Sequence, residues 1–315
     1  MMTGIYKGRL IRLDFGEPSL PCPPEAKAEA IKYITNPECY YSPIKGENKL
    51  IDQIQKYLFN EKKFNISRKL ITITTGGLMG LNSIIRCLKK EGVKKIYYPD
   101  PGFPPYRYIE YYNEIELVPY PLNNEKKAID FLIKSTNKNP HKSVAYIINS
   151  PNNPNGITFS NTSWKCLKEG IINQYIICDN SFEAFIYNKS KKNSFPPFGE
   201  NFFHVFSFSK TFSLADYRVG YVVSPNKEWA ELISRHHWFT QLSTSVISQQ
   251  AAIGALNCKS DYLNQNIITI SQNLNYSIEQ LKKNNIDGYH PEGGFFLWIN
   301  IDETQYSSNE FTKYA

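Results

Sequence analysis

Lys210 closes the run Ser-Phe-Ser-Lys directly behind an apolar, strand-like segment, His204–Ser207, which gathers Ser207, Ser209 and a lysine amine at one strand end. Such an amine attacks a carbonyl carbon to form an imine and afterwards carries protons. Other strand-like runs also end in chemistry. Tyr175–Cys178 is followed by Asp179. Val144–Asn149 leads into Ser150-Pro151-Asn152-Asn153-Pro154-Asn155-Gly156, and Leu70–Thr74 into Thr75-Gly76-Gly77 at the start of a helical pattern. Arg218 follows Lys210 by eight residues, just ahead of Gly220. Helix-start N–H groups, hydroxyls and a guanidinium together bind phosphate. A carboxylate keeps a heteroaromatic nitrogen protonated, so that the ring takes up carbanion charge. Pyridoxal phosphate needs all of these at once. Each has a plainer reading alone: a lysine after a strand as a solvated charge, Asp179 as a helix N-cap, Gly76-Gly77 as a turn. The joint occurrence carries the inference.

Bringing these strand ends together requires a sheet. Further β-branched runs occur at Lys95–Tyr98, Ile115–Val118 and Gly220–Val223, with helical patterns such as Lys49–Phe59, Leu78–Lys90 and Asn161–Gly170 between strands. Alternation of this kind predicts a mostly parallel α/β sheet with helices on both faces, and ligands at the C-terminal strand ends. The first forty residues hold turn signals (Gly16-Glu17-Pro18, Pro21, Pro23, Pro24) around a helical stretch, Glu25–Ile34. From Glu228 to Asn284 the pattern is helical with a break near Asn257–Ser260, and Gly293–Ile299 reads as a buried strand. The expected division is a large domain over 35–225 and a smaller one built from 1–34 and 226–315.

Composition removes several function classes. The net charge is +7, but the lysines come as scattered pairs such as Lys62-Lys63 and Lys282-Lys283, with no basic run interleaved with aromatics. A solvated surface is the reading, not a nucleic-acid stripe. The six cysteines include no CxxC pair, and the five histidines show no metal-ligand spacing, so no metal is expected. Cys178, inside an apolar run, reads as core. No leader-like segment and no stretch of 18 apolar residues occurs, which makes the cytoplasm the default and a membrane partner unexpected.

The chain resembles the class I/II aminotransferase family (aspartate aminotransferase type) of fold-type I pyridoxal-phosphate enzymes, from about residue 9 to the end. The matching segments are LDFGEPSLPCP, YSPIKG, TTGGLMGL, YPDPGFPPY, NSPNNPNG, CDNSFEAF, SFSKTFSLADYRVGY and PEGGFFLW. The resemblance implies a mostly parallel seven-stranded large domain with a smaller α+β domain, here shortened. It implies that Lys210 is the Schiff-base lysine and proton carrier and that Asp179 pairs with the pyridinium N–H. Asn153 would bond the cofactor's phenolic oxygen. Ser207, Ser209 and Arg218 would hold the phosphate, with Gly76, Gly77 and Leu78 donating from the helix start. Phe103 would stack on the ring, and Gly16 would lie beside the substrate carboxylate. Tyr41 would reach the phosphate in a neighbouring subunit, making a homodimer part of the site. Phe103 and Tyr41 also suit plain packing.

Three departures from the family stand out. Phe182 replaces the usual tyrosine three residues after the aspartate, which removes a hydroxyl from the phenolic oxygen and raises the imine pKa. Asp216 replaces a usual glycine two residues before Arg218; it either competes for that arginine or faces solvent. The sequence ends at Phe311-Thr312-Lys313-Tyr314-Ala315, ahead of the family's carboxylate-gripping arginine, so it is either a truncated form or holds substrate differently, with Arg12 or Arg235 as substitutes. No arginine lies in 236–250, which disfavours dicarboxylate recognition by that route. The leading expectation is an aminotransferase acting on an amino acid or related amine, with a 2-oxo acid as partner substrate. Alternatives on this fold are a decarboxylase, a cyclase or eliminase, an oxidase, and a non-catalytic relative.

Overall fold

The computed structural model describes residues 16–18, 20–138, 143–259, 261–301, 305–308 and 310–311. Arg9, Arg12, His141 and the segment 312–315 lie outside them. The elements run α1 (Pro24–Thr35), α2 (Asn48–Lys62), β1 (Ile71–Thr74), α3 (Gly76–Lys90), β2 (Lys95–Asp100), α4 (Ile109–Asn113), β3 (Glu116–Pro121), α5 (Glu125–Thr136), β4 (Val144–Asn149), α6 (Asn161–Gly170), β5 (Tyr175–Asp179), β6 (Phe202–Ser207), α7 (Phe208–Thr211), β7 (Gly220–Val223), α8 (Lys227–Gln241), α9 (Val246–Leu256), α10 (Asp261–Lys283), β8 (Gly288–Tyr289) and β9 (Trp298–Ile299). Seven strands form one sheet in the order β1-β7-β6-β5-β4-β2-β3. Only β7 runs antiparallel to its neighbours.

Alternating residues of the central strands divide between two cores, as the two-residue period of a strand requires. Ala145, Ile147, Tyr175, Ile177, Phe203 and Val205 face α3 and α8, whose Leu81, Ile84, Trp229 and Ile233 complete that layer. Tyr146, Ile148, Ile176, Cys178 and Phe202 face α5 and α6 on the other side. At the β1–β7 edge, Ile71, Ile73, Phe206, Tyr221 and Val223 share a core with α1, α2 and α9. Burial on both faces is why β4, β5 and β7 read as unbroken apolar runs. Helix α1 crosses α9 so closely that a Cβ on Gly254 would lie 2.2 Å from the Glu25 carbonyl oxygen. Helices α8 and α9 therefore pack against the sheet. No helix among the described residues is long and apolar enough to cross a membrane.

Two local expectations need correction. The helical stretch after Glu228 has a second break at 242–245, where Leu242 takes φ +61°. The buried strand expected over Gly293–Ile299 shrinks to Trp298–Ile299, paired with β8, and Trp298 is 41% exposed. The cause lies in Phe295 and Phe296. Both consecutive rings pack on Phe182, at 5.1 and 5.7 Å, whereas an extended strand would send them to opposite faces.

The segment before β9 is fastened to the body. Gly293 N–H bonds Gly156 O, and Gly294 N–H bonds Phe185 O. A Cβ on Gly156 would lie 2.5 Å from Pro291, and one on Gly293 would lie 2.4 Å from Pro151. Beside this seam Lys191, 12% exposed, reaches Glu125 at 2.6 Å, Glu292 at 2.8 Å and the Thr158 carbonyl at 2.7 Å. Replacing Lys191 by methionine leaves two carboxylates facing each other without their cation. The expected cost is about 3 kcal/mol, read as a lower urea midpoint. Lys191→Met combined with Glu292→Gln is expected to recover part of it, and an unchanged midpoint in the single variant would show that the cluster contributes nothing.

Candidate active site

Strand register sets the site. Asn149 on β4 lies opposite Asp179 on β5, and Asp179 opposite Val205 on β6. Two residues on, Ser207 lies opposite Gly220 on β7, which faces Thr74 on β1. The ends of β4, β5, β6 and β1 thus line one edge of the sheet, where ligands collect in α/β folds.

The amine comes from α7, a single turn. The Ser207 hydroxyl starts it by accepting the Ser209 N–H at 3.2 Å. Phe208 and Thr211 are buried, which leaves Lys210 half-buried, with Nζ donating to the Gly16 carbonyl. Burial holds the Lys210 amine below the ordinary lysine range; Glu17 opposes this and Arg218 reinforces it. The share of neutral, nucleophilic amine at a given pH is raised as a result.

Next to the amine is an anion cradle. Helix α3 begins at Gly76 with no side-chain cap on its first N–H groups, those of Gly76, Gly77 and Leu78 among them. Arg218, at φ +51°, donates to Ala215 O at 2.8 Å and to Ser209 Oγ at 3.4 Å. Its guanidinium lies on Gly76, where a Cβ would sit 2.6 Å from Nη2. A Cβ on Gly77 would approach Ser207 Cβ to 3.2 Å, and one on Gly220 would meet the Gly77 nitrogen at 2.7 Å. Asp216 is exposed and forms no ion pair with Arg218 among the described residues, so of its two readings the solvent-facing one holds. Uncapped N–H groups, two hydroxyls and a guanidinium make a fitting phosphate site. A cavity of about 530 Å³ opens beside it, lined by Thr75, Leu78, Tyr108, Tyr112, Arg218 and Gln241.

Asp179 is 7% exposed and well supplied with donors. Tyr106 Oη donates to Oδ2 at 2.7 Å, while Ser181 gives its N–H at 3.0 Å and its hydroxyl at 2.5 Å to Oδ1. A carboxylate has about four acceptor positions, so one remains on Oδ2 for a ring N–H. Asn149 links the neighbouring parts, donating to Asp179 O at 3.0 Å and accepting the Asn153 N–H at 2.7 Å. Asn152 donates to Pro101 O at 3.1 Å and so ties the Asn-Pro loop to the turn bearing Phe103. Phe103 is partly buried and meets Tyr106 edge-on at 5.5 Å. The sequence reading missed Tyr106 and Asn149 as positioning groups. The available signals were a tyrosine three residues past Phe103 and an asparagine ending an apolar strand.

Phe182, Phe295 and Phe296 form an aromatic wall, and the Phe296 ring lies on Gly16, 2.2 Å from where a Cβ would stand. Phe182 therefore fills an apolar slot. Tyr41 is not gathered with the rest: it is 77% exposed, beside Ser42, whose Oγ accepts from Gln249 on α9 at 3.0 Å. Arg235 is exposed on α8, away from the helix's buried face.

A family model described as aminotransferase class I and II matches residues 9–314. Among curated relatives, an aspartate aminotransferase of Thermotoga maritima is 28% identical over 312 residues, spanning 94% of this chain and 79% of its own. A probable aspartate/prephenate aminotransferase of Aquifex aeolicus is 29% identical over 296 residues, spanning 90% of this chain and 74% of its own. The solved aspartate aminotransferase of Thermotoga maritima superposes with a TM-score of 0.85 at 23% identity, covering 97% of this chain and 80% of that one.

Two outcomes follow from the geometry. Tyr106→Phe removes a charge-assisted bond to a buried carboxylate and is expected to lower unfolding stability by about 2 kcal/mol; an unchanged denaturation curve would count against the bond. A depressed Lys210 pKa leaves more neutral amine at any pH below the ordinary lysine value. An amine-directed reagent followed by peptide mapping should therefore label Lys210 at lower pH than exposed lysines such as Lys165.

Proposed function

The chain belongs to the aminotransferase class I and II family, and on that premise we propose that the strand-end cluster around Lys210 is its cofactor and reaction centre. The protein is a pyridoxal-phosphate-dependent aminotransferase with the type I fold of those enzymes. Its substrates are an amino acid and a 2-oxo acid, and its relatives' names make aspartate the first donor to try. The matched relatives are transaminases, and the decarboxylase, cyclase, eliminase, oxidase and non-catalytic alternatives gain no support from them. The observation that carries the proposal is one juxtaposition: a half-buried amine one turn past β6, beside uncapped N–H groups, two hydroxyls and a guanidinium.

When bound, pyridoxal phosphate supplies an aldehyde and an electron-accepting ring. Lys210 provides the amine that attaches it, and after release moves the substrate's Cα proton at Nζ, a task suited to an amine whose pKa burial has lowered. Asp179 holds the ring nitrogen's proton with its remaining acceptor position, kept in place by Tyr106 and Ser181. Asn153 bonds the phenolic oxygen alone, because Phe182 has no hydroxyl to offer. Ser207, Ser209, Arg218 and the N–H groups of Gly76, Gly77 and Leu78 take the phosphate. Phe103 covers the ring, and Gly16 stands beside the substrate carboxylate.

The reading includes a homodimer in which Tyr41 of one protomer reaches the partner's phosphate. Exposed Tyr108, Tyr112, Trp238 and Phe239 support a covered surface near the cradle. It also includes a large cofactor-binding domain over 35–225 and a smaller one built from 1–34 and 226–315. Six unpaired cysteines suit a reducing cytoplasm.

Purified protein mixed with pyridoxal phosphate should develop a visible absorption band, bleached by an amino acid donor and restored by a 2-oxo acid. Lys210→Ala is expected to lose the band and to lower turnover by about 10³-fold or more. Retained colour and turnover in that variant would overturn the proposal.

A further inference from the structure

Thr75 is the last residue before the helix start that forms the cradle. Its backbone N–H donates to Nε2 of His237 at 3.1 Å, and its hydroxyl lies 3.3 Å from the same nitrogen and 3.4 Å from Thr244 Oγ1. A nitrogen that accepts from a backbone N–H must present its lone pair, so the ring proton of His237 sits on Nδ1. That Nδ1 is buried with no partner among the described residues, and His237 as a whole is 1% exposed. A buried, unpaired N–H costs stability, so packing alone does not account for a histidine here. Burial, then the neighbouring His236, push the His237 pKa down to about 4. The ring therefore stays neutral, and Nε2 keeps its lone pair, through the physiological range. Its helix α8 packs against α3, so the contact is carried by a rigid element.

We propose that His237 is a positioning residue for the phosphate cradle: by holding the Thr75 N–H it fixes the Thr74–Thr75 peptide at the entry to α3, and through it the direction of the donors that follow. The inference rests on the reading of Gly76, Gly77 and Leu78 as phosphate ligands. It assigns His237 no contact with substrate. Its effect is confined to how tightly the 5′-phosphate is gripped.

The test compares His237→Asn with His237→Gln in the full-length protein stripped of cofactor. A glutamine carbonyl reaches the level of Nε2, whereas an asparagine amide reaches only that of Nδ1. Each apoprotein is titrated with pyridoxal 5′-phosphate and, separately, with phosphate-free pyridoxal, following absorbance. The asparagine variant is expected to bind pyridoxal 5′-phosphate about tenfold more weakly, with pyridoxal changed by less than about twofold. The glutamine variant is expected to return to within about threefold of wild type. Thr75→Pro suits the native φ of −74° and deletes the same donor from the other side, so it is expected to show the same phosphate-selective loss even if the asparagine variant does not fold. Equal weakening of both ligands, unaltered pyridoxal 5′-phosphate binding, or no difference between asparagine and glutamine would overturn the inference while leaving the cofactor reading intact. A wild-type protein that takes up no pyridoxal 5′-phosphate removes that reading and this inference together.

Discussion

Closeness without side chains is the constraint on which this structure turns. The Arg218 guanidinium lies on Gly76, and Gly220 lies against the Gly77 nitrogen, at distances no Cβ would tolerate. Because β7 runs antiparallel between β1 and β6, Gly220 stands level with both Thr74 and Ser207. Three segments far apart in sequence therefore meet at one point: the helix start after β1, the hydroxyls after β6, and the arginine before β7. Removing any one of the glycines' freedoms would force the other parts outward. The left-handed φ of Arg218 belongs to the same arrangement, since it turns the side chain back over the helix start while β7 continues into the sheet.

Charge is distributed with similar economy. Lys210 and Arg218 bring two basic groups to one end of the sheet, and burial and the neighbouring guanidinium both lower the lysine pKa. Asp179 is a buried carboxylate that stays satisfied through three donors from its own neighbourhood, so it needs no cation. Asp179 on β5 and Lys210 after β6 stand at the ends of neighbouring strands, with Asn149 bridging Asp179 to the Asn-Pro loop.

Much of this was legible in the sequence because strand ends are. The apolar runs of β4, β5, β6 and β7 are short and sharply bounded, and the residues after them have side chains with few roles in packing. What escaped was chemistry carried by residues that look like core. Tyr106 is fully buried and one of 22 tyrosines, and nothing in spacing marks it as the donor to Asp179. His237 sits in a helical run beside another histidine, and only the fold reveals that Thr75, on a distant strand end, is its partner. The reading of Gly293–Ile299 failed for a related reason. Apolar composition predicted extension, but the two phenylalanines have a common target in Phe182, and the backbone bends to serve it.

Gly294 gives the seam beside Lys191 a mechanical meaning. Gly293 is pinned to Gly156 and crowded by Pro151, so it cannot slide; Gly294, at φ +74°, has nothing within 4 Å of where its Cβ would be. Its N–H bonds Phe185 O and its carbonyl accepts the Tyr187 hydroxyl at 2.6 Å, so the left-handed turn is clamped from both sides. Phe295 and Phe296 start from that clamp, so the aromatic wall over Gly16 is held in register with the loop bearing Asn153.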